Sequence, residues 1–324
     1  MSARRQGRAV KKGRTDMSYE LTNRLVLGVA SSALFDLRES NAVFENQGED
    51  EYRAYQEDRL DDPLGQGFAF PFIRRLLLLN DLADVNDPPV EVIVLSRNSP
   101  DTGLRVMRSI QHHGLPITRA IFTQGRSPYA YMEALNMSLF LSANENDVRQ
   151  ALGQGLPAGR VMESSFVDDE GDELRVAFDF DGVLADDQSE QVMQNGTLQE
   201  FHSYETANAV TPHSPGPLKD FLAGLNRLQE LERKRLQDQP EYQRRLRISL
   251  VTARNAPSHE RAVTSLKDWG ATVNEAFFLG GIEKGIVIDV LKPHIFFDDQ
   301  IRHLSTTTQV PSVHIPFGVL NEQP

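Results

Sequence analysis

The chain has 324 residues, a formal net charge of −12, 40% hydrophobic and 25% charged residues, and no cysteine. Two domains are the first expectation at that length, and the composition excludes wholesale disorder, disulfide frameworks, thiolate metal sites and cysteine nucleophiles. No stretch approaches the roughly 18 apolar residues of a membrane span, and an acidic body argues against a nucleic-acid polymer as the main partner, because phosphate backbones bind basic faces.

The first fourteen residues hold Arg4, Arg5, Arg8, Lys11, Lys12 and Arg14 and no acid. They lack the apolar segment of a signal peptide, so residues 1–20 are read as a disordered basic tail and the protein as cytoplasmic. Leu25–Ala30 and Val90–Leu95 are short apolar runs suited to buried strands. Arg105–His113 reads as a helix ending at Gly114, Ala120–Phe122 and Ser138–Leu141 as strands, and Asn146–Leu152 as a helix. An acidic stretch, Asp168 to Glu173, marks a loop, and the rhythm then restarts. Arg175–Phe178, Ile248–Val251, Ala276–Leu279 and Ile295–Phe297 read as strands. Leu218–Arg235, with leucines on one face, and Glu260–Trp269 read as helices. Strands alternating with helices predict an α/β fold with a parallel sheet.

The two halves also resemble each other. Val94-Leu95-Ser96-Arg97-Asn98-Ser99-Pro100 matches Val251-Thr252-Ala253-Arg254-Asn255-Ala256-Pro257, Ala120–Gly125 matches Ala276–Gly281, and Leu139–Ala143 falls on Ile295–Asp299, in order and at a slowly drifting spacing. This predicts two tandem Rossmann-like units, with domains at 21–163 and 164–324, and an insertion at about 187–247 acting as a small helical cap on the second. The insertion carries Arg227, Arg233, Lys234, Arg235, Arg244, Arg245 and Arg247. These read equally well as a steering surface for an anion and as a solvated helix face.

Asp179-Phe180-Asp181-Gly182-Val183 directly follows a strand and resembles the first motif of the haloacid dehalogenase superfamily. At the carboxyl end of a parallel strand, residues i and i+2 can both turn toward one pocket. Thr252 ends a strand where the superfamily's second motif places a phosphoryl-binding hydroxyl. Lys284 stands where the third motif's lysine would lie, with Lys292 as a rival. Asp298-Asp299 ends a strand like the acidic fourth motif. The resemblance implies Asp179 as nucleophile and Asp181 as acid and base. It implies Mg²⁺ held by Asp179, Asp298 and the Asp181 carbonyl, with Asp299 directly or through water. In the repeat alignment Asp179 falls on Val29, Asp181 on Ser31, Thr252 on Leu95, Lys284 on Pro128, and Asp298-Asp299 on Ser142-Ala143. The first half is therefore expected to be catalytically dead.

Longer stretches are more specific. Val29–Asp36, Phe44–Gly48, Tyr52–Gln56, Ala69–Phe72, Arg175–Asp179, Gly216–Lys219, Leu250–Arg254 and Pro293–Gln300 resemble the cytosolic type I 5′-nucleotidases and their bacterial relatives over nearly all of Leu25–Gly318. That resemblance implies Mg²⁺-dependent hydrolysis of nucleoside 5′-monophosphates, often AMP. The chain departs from animal members at Phe180 and Gly182, where they carry Gly and Ala. Gln124, Arg126 and Ser127 are the preferred candidates for contacts reaching across to the substrate, with Arg254 and Asn255 as further candidates. Phe35, Phe44, Tyr129, Tyr131 and Phe201 could stack on a base. None of the histidines shows metal-ligand spacing. A phosphatase for another small ester and a non-catalytic nucleotide sensor are the competing readings, and homo-oligomerisation is compatible with base rates.

Overall fold

The apolar runs pair into one ten-stranded sheet. The computed structural model describes residues 19–321. Its strands are β1 (Leu25–Val29), β2 (Val90–Ser96), β3 (Arg119–Phe122), β4 (Met137–Ser142), β5 (Ala158–Val161), β6 (Leu174–Phe178), β7 (Leu246–Thr252), β8 (Glu275–Phe278), β9 (Ile295–Asp298) and β10 (Ser312–His314). Its helices are α1 (Ser31–Leu34), α2 (Arg38–Gln47), α3 (Glu49–Asp58), α4 (Phe70–Leu78), α5 (Pro100–His112), α6 (Glu145–Leu152), α7 (Gln188–Asn195), α8 (Leu198–Ala207), α9 (Lys219–Asp238), α10 (His259–Asp268), α11 (Lys284–Leu291) and α12 (Ile301–Leu304).

The order across the sheet is β3-β2-β1-β4-β5-β10-β9-β6-β7-β8. Neighbours are parallel except at the centre, where β5 and β10 pair antiparallel, Val161 opposite Val313 and Arg160 opposite His314. Strands β1–β5 therefore run opposite to β6–β10, and the carboxyl ends of the two groups lie at opposite ends of the sheet. The central join is close: a Cβ on Gly159 of β5 would lie 2.3 Å from Val313 Cγ1.

A parallel sheet covered on both faces needs strands that are apolar on both sides. Every residue of β1 and β2 is buried. Leu25, Leu27, Val29, Phe178, Leu250 and Phe297 face one layer of helices, α4, α5, α9 and α10. Val26, Ile93 and Phe140 face α6 on the other side, and Ala177, Val251 and Phe296 face α11 and α12. The leucine stripe of α9 buries Leu222, Leu225 and Leu228. Its Phe221 meets Phe72 of α4 edge-on at 6.4 Å, and a Cβ on Gly224 would touch Leu25 of β1 at 2.4 Å. Helix α9 is thus core, and the span 187–247 is not one cap: of its helices, α7 and α8 stand apart from the sheet. Three of the basic residues of that span are engaged away from the carboxyl ends of β6–β9. Arg235 and Arg245 bind Asp81, and Arg247 binds Glu275 beside the amino end of β7.

The acidic stretch is a loop, but a clamped one. Arg75 of α4 is fully buried and pairs with Asp168 and Asp169. The expected tail of residues 1–20 lies outside the described residues except for Tyr19 and Glu20. Tyr19 is anchored, its ring between the guanidinium groups of Arg24 and Arg119 at 4.3 and 3.8 Å and its hydroxyl on Glu91.

Backbone hydrogen bonds set the correspondence between the strand groups. Ala30 N donates to Leu141 O as Asp179 N donates to Phe297 O, both at 2.8 Å. Thr123 N meets Ser96 O as Leu279 N meets Thr252 O, and Gln124 N meets Asn98 O as Gly280 N meets Arg254 O. Ala30, Ser96 and Asn98 therefore occupy the places of Asp179, Thr252 and Arg254. This corrects the sequence matching by one residue at Val29, Leu95 and Arg97, because the ladder and not side-chain identity fixes register.

Candidate active site

The adjacent strands β7, β6 and β9 bring Thr252, Asp179 and Asp298 to one end of the sheet. This is the crevice outside the carboxyl ends where open α/β sheets bind ligands. Lys284 arrives from the first residue of α11, after a turn in which Gly280 and Gly281 adopt φ of 58° and 88°. Its ammonium lies 2.6 Å from Asp179 Oδ2 and 2.7 Å from Asp298 Oδ2, and the side chain is 1% exposed. Lys292 is elsewhere: it caps the C-terminus of α11 with φ 45°, and its carbonyl accepts from Arg175.

Asp179 Oδ1 accepts the Phe180 backbone N–H at 2.7 Å. Burial pushes its carboxyl up, Lys284 pulls it back, and the Asp298 and Asp181 charges push it up further, so the net direction is upward. Burial works the same way on Asp298, but Lys284 and His303 outweigh it and hold that carboxyl below the usual range. His303 Nδ1 sits 3.1 Å from Asp298 Oδ1. Sequence reading missed this histidine; its only signal is its place one helical turn after the Asp298-Asp299 pair.

Asp299 is buried, and its Oδ1 has no hydrogen-bond partner. Burial and the neighbouring carboxylates raise its carboxyl well above the ordinary value. Gly182 (φ 72°) passes so close that a Cβ would lie 2.6 Å from Asp299 Oδ2. Thr252 Oγ1 accepts the Arg254 N–H at 3.3 Å, which leaves its hydroxyl proton free to donate. A cavity of about 270 Å³ lies beside the cluster and shares Asp299 with it, its other walls coming from Gln194, Gln300, Arg302 and Asn321.

Asp181 binds Arg254 through both oxygens, at 2.6 and 2.8 Å. Arg254 is 3% exposed and is engaged by Asp181, Glu205 and the Ser258 carbonyl, so it holds side chains rather than facing the opening. Asn255 packs on Gly280, and its carbonyl accepts from His259 N and Ser258 Oγ. Gln124, Arg126 and Ser127 are not brought to the cluster. They follow β3, at the far edge of the sheet and, because of the antiparallel join, at its opposite end. Ser127 instead binds Arg97, which also pairs with Asp147. Of the five aromatic candidates Phe201 alone is near, its ring 5.7 Å from the Arg254 guanidinium.

The chemistry of these residues suits a divalent cation. Asp179, Asp298 and Asp299 crowd around one ammonium, Lys284, and the crowding with burial pushes the Asp179 and Asp299 carboxyls upward. One buried carboxylate oxygen lacks any partner. Both features fit a hard divalent cation, and Asp179, Asp298 and His303 offer ligand atoms within 4.8 Å of one another.

A family model described as 5′-nucleotidase matches residues 17–322. Human cytosolic 5′-nucleotidase 1B is 31% identical over 303 residues, covering 90% of this chain and 48% of that protein, so the chain spans about half the length of this curated relative. No solved structure matches. With a matching model over nearly its whole length, this chain belongs to the 5′-nucleotidase family.

Proposed function

We propose that the protein is a Mg²⁺-dependent cytoplasmic 5′-nucleotidase, converting nucleoside 5′-monophosphates of the AMP type to nucleoside and phosphate. The observation that carries this reading is the Lys284 ammonium shared between Asp179 and Asp298 on adjacent strand ends. It opposes the protonation that burial favours at the nucleophilic carboxylate, while adding positive charge where a phosphoryl group would sit.

Asp179 attacks phosphorus, the bond to the 5′ oxygen breaks, and Asp181 gives that oxygen a proton. Asp181 then takes a proton from the water that attacks the aspartyl-phosphate, phosphate leaves, and Asp179 is restored. Thr252 donates its hydroxyl to a phosphoryl oxygen. Asp179, Asp298 and the Asp181 carbonyl would hold Mg²⁺, with Asp299 directly or through water. The ion supplies charge neutralisation at the phosphate.

The strand order, identical when read from either edge, supports two tandem Rossmann-like units at about 21–163 and 164–324. The first is a degenerate copy with Ala30, Ser96, Pro128 and Ser142 in the catalytic places. In the second, α7 and α8 form the cap.

The test is phosphate release from 5′- and 3′-nucleotides and sugar phosphates, with Mg²⁺ or EDTA, for wild type and Asp179→Asn. Mg²⁺-dependent release from 5′-monophosphates that Asp179→Asn abolishes supports the reading. Turnover of non-nucleotide esters alone keeps the site and rejects the nucleotidase. Nucleotide binding with no turnover points to a sensor.

A further inference from the structure

The proposed proton donor is tied to the cap. Arg254 grips both oxygens of Asp181 and, with Nη1, the carboxylate of Glu205 on α8. Glu205 is 1% exposed and is also held by Arg261 Nη1 at 3.0 Å and Ser189 Oγ at 2.7 Å. His213 completes the cluster, its Nε2 3.0 Å from both Ser189 Oγ and Arg254 Nη2. Burial opposes the Glu205 carboxylate, but these partners hold it ionised well below the usual range.

The first half contains most of this network. Arg105 Nε donates to the Asp62 carbonyl and Nη1 to Gln56 Oε1, as Arg261 Nε donates to the Thr211 carbonyl and Nη1 to Glu205. Ser109 Oγ accepts from Leu64 N as Ser265 Oγ accepts from His213 N. Arg105 approaches Tyr55 as Arg261 approaches Tyr204, at 5.8 and 5.4 Å. These contacts seat a helical insertion on the fold in a half without catalytic carboxylates, so they are structural. Two substitutions distinguish the halves. Asn98 stands in the place of Arg254, and neutral Gln56 in the place of Glu205. The charged line Glu205–Arg254–Asp181 exists only where Asp179 and Asp298 exist.

We propose that Arg254 is a positioning residue that aims Asp181, and that Glu205 of α8 sets Arg254 in place, so that seating of the cap and alignment of the proton donor are one event. The inference rests on the reading of Asp181 as the acid. A planar guanidinium bound through two N–H groups fixes a carboxylate in direction as well as distance, which lysine cannot do.

The test compares a nucleoside monophosphate, whose leaving alkoxide needs a proton, with p-nitrophenyl phosphate, whose leaving phenolate does not. The readout is kcat/KM with Mg²⁺, which covers the chemistry up to loss of the leaving group. Arg254→Gln should lower the nucleotide value by about 10²-fold, within the span of general acid catalysis, and the aryl phosphate value by less than about threefold. Glu205→Gln should follow the same selective pattern more weakly, and inhibition by inorganic phosphate should be unchanged in both. Arg254→Lys keeps the charge without the fork and serves if Arg254→Gln does not fold; it should still show the selective loss. Equal losses on both substrates, or weaker phosphate inhibition, overturn the proposal and make Arg254 a structural or phosphate-binding residue. Asp181→Asn separates the premises. If it shows the selective loss and the Arg254 variants do not, the positioning role fails alone. If it loses both substrates equally, the reading of Asp181 fails and takes the proposal with it.

Discussion

Replacing Lys284 by methionine keeps the length and apolar stem of the side chain and removes the ammonium that Asp179 and Asp298 share. Lys284 is 2% exposed, Asp179 4% and Asp298 0%. Breaking a buried pair by removing one partner costs about 3–5 kcal/mol. At about 2.1 cal/mol/K of unfolding entropy per residue, a chain this size loses roughly 4–7 °C of Tm for that cost. The deficit should depend on pH. Without Lys284 both folded-state carboxyls titrate above their unfolded values, so the folded variant binds more protons than the unfolded one. The variant's stability is then fullest at low pH and is lost as pH rises through its folded-state values. Thermal unfolding in EDTA, followed by circular dichroism, should show the full gap at pH 8 and a smaller one at pH 5. A variant that melts within 1 °C of wild type at pH 8 would refute the idea that Lys284 compensates buried charge.

Asp179→Asn should lower nucleotide turnover by at least about 10⁴-fold, as loss of a nucleophile does, while phosphate release by the same variant at a tenth of wild-type rate would exclude Asp179 from bond making. Saturating Mg²⁺ at about 100 times its Kd should stabilise the protein by about 2.7 kcal/mol; an EDTA-treated sample with an unchanged Tm on adding Mg²⁺ contradicts the cation site. His294 is fully buried, accepts the Arg175 N–H on Nδ1, and is pushed down to about 3 by burial and by the Arg75 and Arg175 charges. Its folded-state value lies below its unfolded one, so stability is complete above about pH 6.5 and falls as pH drops toward 3, by roughly 2–3 kcal/mol at about pH 4.5. His294→Asn keeps an acceptor and should lose less between pH 7.5 and 4.5 in urea titrations; parallel losses would count against this account. Arg126→Glu should leave kcat/KM within about threefold, and a larger effect would mean that opposite ends of two sheets meet in an assembly.

The strands were legible where apolar residues run unbroken, as in Val90–Leu95, and so were the leucines of α9. The centre of the sheet was not. Strands β5 and β10 are three or four residues long and contain Gly159, Arg160, Ser312 and His314, so they carry no apolar run. Yet their antiparallel pairing decides that the two halves point in opposite directions. That one join removed Gln124, Arg126 and Ser127 from the cluster. Asp179, Thr252, Lys284 and Asp298 could be placed together from sequence because each ends a strand or begins the helix after it, which is local information. The Asp181–Arg254–Glu205 line could not, because its members converge from three separate elements. Arg97 and Arg254 looked equivalent by letter, and only the ladder showed Asn98 in the latter's place.

Strand β10 also has a consequence for how the chain is made. It lies in the middle of the sheet, but it is the last described strand to be synthesised. Until Ser312–His314 emerge, β5 and β9 each present an unpaired edge, and bare edges recruit other chains. His314 Nε2 donates to the Asp299 carbonyl at 3.0 Å and Ile315 N donates to Asp298 O, so the same late segment closes the sheet and steadies the acidic pair. A ribosome that releases the chain short of Ser312 would leave two open half-sheets and a loose catalytic end, a species for chaperones rather than a slower enzyme.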